Sequence, residues 1–263
     1  MSVGDGSFRK HRAGAPPGFF EAEAAGLRWL AAAGGRVVGV LEVGADGIVM
    51  ERLEAARPTA ACAAEFGRML ALVHAAGASE YGSAPDGYHG QLYIGARPMG
   101  SGTAPTWGRF YGQERVRPFL PAAVAAGHLT ETEAREVEQA CEVVESGVLD
   151  ATVPGPARIH GDLWSGNVFW TADGVVLIDP AAHGGHPETD LAMLELFGCP
   201  FLEQVLAGYA AVADLAPGRD ERVPVHQLHP LAVHAAGHGR GYGVELVRAA
   251  RYTVERWGSS PVP

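Results

Sequence analysis

The chain has 263 residues, enough for one large domain or two lobes around a sizeable core. Its 30 acidic residues against 20 Lys and Arg give a formal charge of −10, which argues against a nucleic-acid or anionic-membrane partner and suits a cationic substrate better. No run approaches the roughly 20 apolar residues of a membrane span, Asp5 interrupts any leader-like start, and Cys62, Cys141 and Cys199 lack metal-ligand spacing, so a cytoplasmic monomer with reduced thiols is expected.

In chain order, Gly4-Asp5-Gly6 reads as a tight turn before a strand Ser7 to Lys10. Phe20, Ala24, Leu27 and Leu30 recur at helical spacing, which predicts a helix over 19–33 ended by Gly34-Gly35. Strands are expected over 36–43 and 47–50, joined through Ala45-Asp46-Gly47. Pro58 can occupy the first turn of the next helix, which carries Phe66, Leu70 and Val73 and stops at Gly77. Residues 78–104 form a long Gly/Pro-rich loop with Tyr81, Tyr88, His89 and Tyr93, a length that marks a functional or mobile segment. Helices are expected over 105–126 and 130–146, the second opened by a capping box of Thr130 and Glu133. After a central hairpin and a Gly/His loop at 182–187, helices cover 191–197, 202–213, 221–236 and 243–257. Strands first and helices after make the class α+β.

The chemistry concentrates in His160-Gly161-Asp162-Leu163-Trp164-Ser165-Gly166-Asn167 and in the apolar run ending at Asp179-Pro180. Asp162 alone reads more readily as a turn residue bonding its own backbone. Asn167 five residues on and Asp179 seventeen residues on change that reading. An amide oxygen and a carboxylate are the hard ligands that Mg²⁺ prefers, and a second carboxylate nearby can accept a hydroxyl proton. Together they are the parts of a phosphoryl-transfer site.

The pattern His160-Gly161-Asp162 to Asn167, followed by Ile178-Asp179-Pro180, resembles the catalytic loop of the aminoglycoside phosphotransferase and choline kinase group. Trp164, Gly185-His186, Glu188, Leu191-Ala192, Gln227-Leu228, His234 and Gly241-Tyr242 narrow the resemblance to the fructosamine (ketosamine) kinase family, over nearly the whole chain from about Phe8. That resemblance implies a protein-kinase-like, two-lobed α+β fold, with a small N-lobe over residues 1–53 and a mainly helical C-lobe over 54–263. It implies that Lys10 grips the ATP phosphates and pairs with Glu23, Glu21 being the competitor on another face. The stretch Met50-Glu51-Arg52-Leu53 would be the hinge, its backbone bonding adenine while Met50 guards the pocket.

On the same resemblance Asp162 is the base, Asn167 and Asp179 hold Mg²⁺, and His160 and Asp190 brace the loop. Trp164, His186, Glu188 and His234 are candidates for substrate contact, each equally readable as packing. His183 and Gly184-Gly185 suggest a mobile rim, and His226, His229, His234 and His238 read as core or rim rather than a metal site. Only nine residues precede Lys10, too few for the full glycine-containing strand pair of a kinase-like lobe; the first strand and its phosphate-covering loop are expected to be missing from this sequence, through a true start that lies upstream, an open phosphate site or a loss of phosphate transfer. The implied reaction is ATP- and Mg²⁺-dependent phosphorylation of a small-molecule or protein-bound ketosamine. A different small-molecule kinase and a nucleotide-binding pseudokinase remain open alternatives.

Overall fold

The computed structural model describes residues 6–152 and 155–258, so Gly4 and Asp5 of the expected first turn lie outside it. Its contacts divide the chain into two compact units. Residues up to 78, with 84–98 and 157–215, make the first; 79–83, 99–156 and 216 onward make the second.

In the first unit β1 (Ser7–His11) is followed by α1 (Phe19–Ala32), β2 (Val40–Gly44) and β3 (Gly47–Glu51). The strands form one antiparallel sheet in the order β1-β3-β2. The strand expected from residue 36 begins only at Val40. Residues 36–38 turn instead to a second partner: Val38 N–H donates to Leu177 O and Leu177 N–H to Arg36 O, and the register shifts between Val40 and Glu42. The apolar stripe of α1 packs Phe20, Ala24 and Leu27 against Ile48, Met50 and Val176. Each such side chain withdrawn from water contributes about 1.5–3 kcal/mol for the larger ones. Next comes α2 (Ala60–Ala75), whose N-cap is Thr59, accepting from Cys62 N–H at 3.2 Å. Pro58 therefore precedes the cap and does not enter the first turn. Residues 78–104 are not featureless, since β4 (Tyr93–Ile94) and β5 (Arg97–Pro98) pair within them.

The helix expected over 105–126 is broken into α3 (Trp107–Phe110), a π-turn at Tyr111–Val116, a 3-10 turn at Arg117–Phe119 and α4 (Leu120–Ala125). Pro118 and Pro121 lack the amide donors that a continuous helix needs. The Tyr111 hydroxyl also anchors the π-turn, lying 2.9 Å from Val225 O and 2.8 Å from His226 O. The next helix, α5 (Glu131–Glu145), opens with the expected capping box of Thr130 and Glu133.

The chain then forms β6 (Ala157–Ile159), the hairpin β7 (Val168–Thr171) and β8 (Gly174–Leu177), and β9 (His183–Gly185). The expected Gly/His rim is in fact β9, buried and paired antiparallel with β6. Its ladder partner is 24–28 residues away, which a local reading of glycines cannot detect. Two more helices of the first unit follow, α6 (Pro187–Phe197) and α7 (Leu202–Ala210), and two of the second, α8 (Arg219–Ala235) and α9 (Arg240–Trp257). Helices α2 and α7 approach closely because Gly67 faces the Val205 carbonyl and Gly208 faces the Ala64 carbonyl; a Cβ at either would strike backbone. Their contact, with Phe66, Leu70, Leu163, Leu177, Leu191 and Val205, is the larger core of the first unit. In the second unit α9 packs on α5 and α8. Among the described residues no helix is long and apolar enough to cross a membrane.

Candidate active site

The residues singled out in the central motif converge within the first unit. Lys10 is opposite Ile48 in the β1–β3 ladder, so its side chain leaves the sheet on the face that carries Ile48 and Met50. That face looks toward α1. Lys10 Nζ stands 2.8 Å from Glu23 Oε2 and 3.0 Å from Asp179 Oδ1. Glu23, and not Glu21, meets the lysine. Burial would lower the Lys10 pKa, but the two carboxylates outweigh it and hold the ammonium above its ordinary range.

Asp179 follows β8 with a left-handed φ of 51°, a conformation that Asp tolerates better than most residues. This turn takes the chain out of the strand and leaves the Asp179 side chain 41% exposed beside Lys10. Asn167 ends a 3-10 turn at Ser165–Asn167 and is buried. Its Nδ2 donates to Asp162 O at 2.8 Å, lies 3.2 Å from Asp162 Oδ2, and reaches Asp179 O at 3.4 Å. One amide therefore ties the loop carrying Asp162 to the turn carrying Asp179. Burial pushes the Asp162 carboxyl up to about 7, against the Asn167 hydrogen bond and with Asp179 and Asp190 adding to the rise.

The loop itself is held from below. Asp190 of α6 is fully buried and accepts from His160 N–H at 2.7 Å and Gly161 N–H at 2.9 Å. His160 Nε2 donates to Ile178 O at 3.0 Å, and its Nδ1 accepts from Asp162 N–H at 3.3 Å. Gly161 takes φ 79°, and a Cβ there would run into Ala181 O, so glycine is required. His74 of α2 was not singled out in the sequence, yet it completes this support. Its Nε2 lies 3.1 Å from Asp190 Oδ2 and its Nδ1 lies 2.9 Å from the Tyr209 hydroxyl. A histidine in the last turn of an apolar helix is the only local signal it left.

The remaining candidates occupy different surroundings. Trp164 is 41% exposed, lies across Gly166 and meets Phe197 edge-on at 6.5 Å. It presents an apolar face two residues from Asp162. His186 and Glu188 are both buried; His186 caps α6, its Nδ1 accepting from Glu188 N–H at 3.0 Å. His234 belongs to the second unit, where its Nδ1 donates to Pro230 O and its ring stacks near His238 and Tyr242. Met50 is buried, Glu51 N–H donates to Gly39 O, Arg52 N–H donates to Gly6 O, and Leu53 packs at the edge of the small core.

The donor chemistry fits the groups that the motif implies. Asn167 turns its Nδ2 inward, which leaves its carbonyl oxygen as the free end, and Asp179 adds a carboxylate; both are hard oxygen donors suited to Mg²⁺. The Lys10 ammonium is already held between two carboxylates and suits a phosphate oxygen.

The model of the family described as fructosamine kinase matches residues 4–255. A probable ketoamine kinase of Thermus thermophilus is 32% identical over 234 residues, covering 89% of this chain and 82% of that relative. One from Synechocystis is 33% identical, covering 85% of this chain and 74% of the relative. Among solved structures, a Thermobifida fusca protein described as a fructosamine-3-kinase superposes with a TM-score of 0.87 at 43% identity, covering 95% of this chain and 85% of the other. An ADP-bound aminoglycoside phosphotransferase, at 15% identity, a TM-score of 0.57 and coverage of 96% and 93%, shares the fold alone. The fold is thus protein-kinase-like, and the chain is a phosphotransferase that belongs to the fructosamine kinase family.

Proposed function

We propose that the chain transfers the γ-phosphoryl group of ATP to a sugar hydroxyl of a ketosamine, the adduct of an amine and a sugar. The observation that carries this reading is the convergence of two bridges on Asp179: Lys10 joins it to Glu23, and Asn167 joins it to Asp162. A phosphoryl-transfer site needs such positioning and charge placement more than covalent chemistry. Residues 1–53 would act as the nucleotide lobe and 54–263 would carry the catalytic loop.

Each side chain has a distinct task in this reading. Lys10, fixed by Glu23, holds phosphate oxygens. Asn167 and Asp179 hold the metal. When bound, Mg·ATP supplies the transferable group and offsets the charge that develops on it. Asp162 orients the acceptor hydroxyl and takes its proton, and Asp190 with His160 keeps the Asp162 loop in place. Leu53 N–H, which donates to no backbone carbonyl among the described residues, is available to adenine beside Met50. Trp164 offers the exposed flat face on which a sugar, or the cation of its amine, can rest.

Phosphorylation next to the adduct linkage would destabilise it and free the amine, so the proposed role is deglycation in the cytoplasm. The test is ADP release with ATP, Mg²⁺ and a panel of ribulosamine, fructosamine and an aminoglycoside. Turnover on a ketosamine supports the proposal. Turnover confined to the aminoglycoside, or ATP binding without turnover on any acceptor, overturns it.

A further inference from the structure

Helix α1 has to present Glu23 to Lys10, yet its start has no side-chain cap. The N-cap is Gly18 in a left-handed turn (φ 79°), after Pro16-Pro17. What fixes this bend comes from outside the sheet and helix, from residues 84–98. The Tyr88 hydroxyl lies 3.0 Å from Gly18 O and 3.1 Å from Gln91 O, its one proton shared between them. The Tyr93 hydroxyl donates to Pro17 O at 3.1 Å. Both carbonyls immediately precede the helix.

The same segment grips the first residue of α1. The Tyr93 ring meets Phe19 at 5.1 Å between centroids, and the Arg12 guanidinium lies 5.1 Å from the same Phe19 ring. Arg12 is two residues after Lys10, and Phe19 is one helical turn before Glu23 on the same face. Contacts thus run from Tyr93 through Phe19 toward both partners of the ion pair. The segment is itself anchored: Leu92 and Ile94 are buried, and Tyr93–Ile94 pair with Arg97–Pro98. A Cβ at Gly18 would meet the Tyr88 hydroxyl at 3.0 Å, so the fit there leaves no slack.

We propose that residues 84–98 are a strap that locks α1 in the register where Glu23 meets Lys10, and that Tyr88 and Tyr93 are positioning residues for nucleotide use. The proposal rests on the reading of Lys10 as the phosphate-gripping residue. It gives the long segment of the chain a task on the ATP side of the reaction.

The experiment compares Tyr88→Phe, Tyr93→Phe and Glu23→Gln in the full chain, singly and with each tyrosine change combined with Glu23→Gln. Loss of either hydroxyl should lower kcat/KM for ATP about three- to tenfold while KM for the acceptor holds. Hydrogen exchange in the first turns of α1 should quicken in the same variants. In the Glu23→Gln background the tyrosine changes should cost nothing further, because they act through that carboxylate. A tyrosine variant with lowered melting temperature and unchanged ATP kinetics overturns the strap, as does full additivity with Glu23→Gln. If Glu23→Gln itself leaves ATP kinetics untouched, the underlying reading of Lys10 and Glu23 fails first.

Discussion

Asp190→Asn is the substitution whose consequences the structure specifies most fully. The wild-type carboxylate is fully buried and receives three donors, His160 N–H, Gly161 N–H and His74 Nε2–H, at 2.7, 2.9 and 3.1 Å. Burial alone would raise its pKa; the hydrogen bond from His74 and the backbone N–H of His160 outweigh burial and hold the carboxyl below its usual range. Asparagine keeps the shape but turns an NH₂ toward one of these donors and removes the charge. At about 1.5–3 kcal/mol per hydrogen bond to a charged group, losing one bond and weakening the rest costs about 3 kcal/mol. For a chain of this size that lowers the melting temperature by about 6–12 °C. Urea unfolding at pH 7, followed by circular dichroism, measures the cost directly. Because the folded pKa is depressed, the stabilisation is present above the unfolded value near pH ~3.9 and is lost as pH falls through the folded value; the gap between the two proteins should therefore close in acid. The same bonds hold the backbone just ahead of Asp162, so kcat should fall with KM for ATP unchanged. A stability loss below about 1 kcal/mol at pH 7 would refute the reasoning, since a buried carboxylate with three donors could not be so cheap to replace.

Other changes probe the remaining parts. Lys10→Met should lower kcat/KM for ATP at least about 100-fold, as expected for removing one charge-placing group from a phosphoryl-transfer site; a loss under tenfold would remove Lys10 from that role. Gly166→Ala puts a methyl group against the Trp164 indole and should displace it, raising KM for the acceptor about fivefold, or about 1 kcal/mol, with KM for ATP unchanged. Burial, reinforced by the nearby Arg115 charge, lowers His229 to about 3. The unfolded chain takes up that proton below about pH 6.5 while the folded one does not, so stability falls as pH drops through this window. His229→Gln should flatten the decline in melting temperature between pH 7 and 4; an unchanged decline would contradict it.

The sequence told which of these side chains would come together better than it told the packing around them. Asp162, Asn167 and Asp179 are close in the chain, so a local pattern could reveal them. The pairing of Lys10 with Glu23 came from the family resemblance, the strand and the amphipathic helix that carry them being what the local pattern gave. What stayed hidden was settled by distant partners. His74 becomes a support for Asp190 only once α2 lies on α7 and its last turn reaches Asp190. Residues 182–187 read as a loop because glycine is disfavoured in strands, and only the ladder with β6 makes 183–185 a strand. The broken helix at 105–126 followed from Pro118 and Pro121 together with the Tyr111 anchor, the second of which no periodicity reports. Tyr88 and Tyr93 were noticed only as members of a long loop, and their hydroxyl partners sit some 70 residues earlier in the chain.

The central claim is that Asp162 directs a phosphoryl group from ATP onto a ketosamine sugar. Phosphorus NMR of a reaction with ATP, Mg²⁺ and ribulosamine, run with the wild-type chain and with Asp162→Asn, tests it most directly. The account predicts a new sugar-phosphate resonance with the wild type and none with the variant, while both still bind ATP. A sugar phosphate formed equally well by the variant, or no sugar phosphate from a wild-type chain that binds ATP, would contradict it.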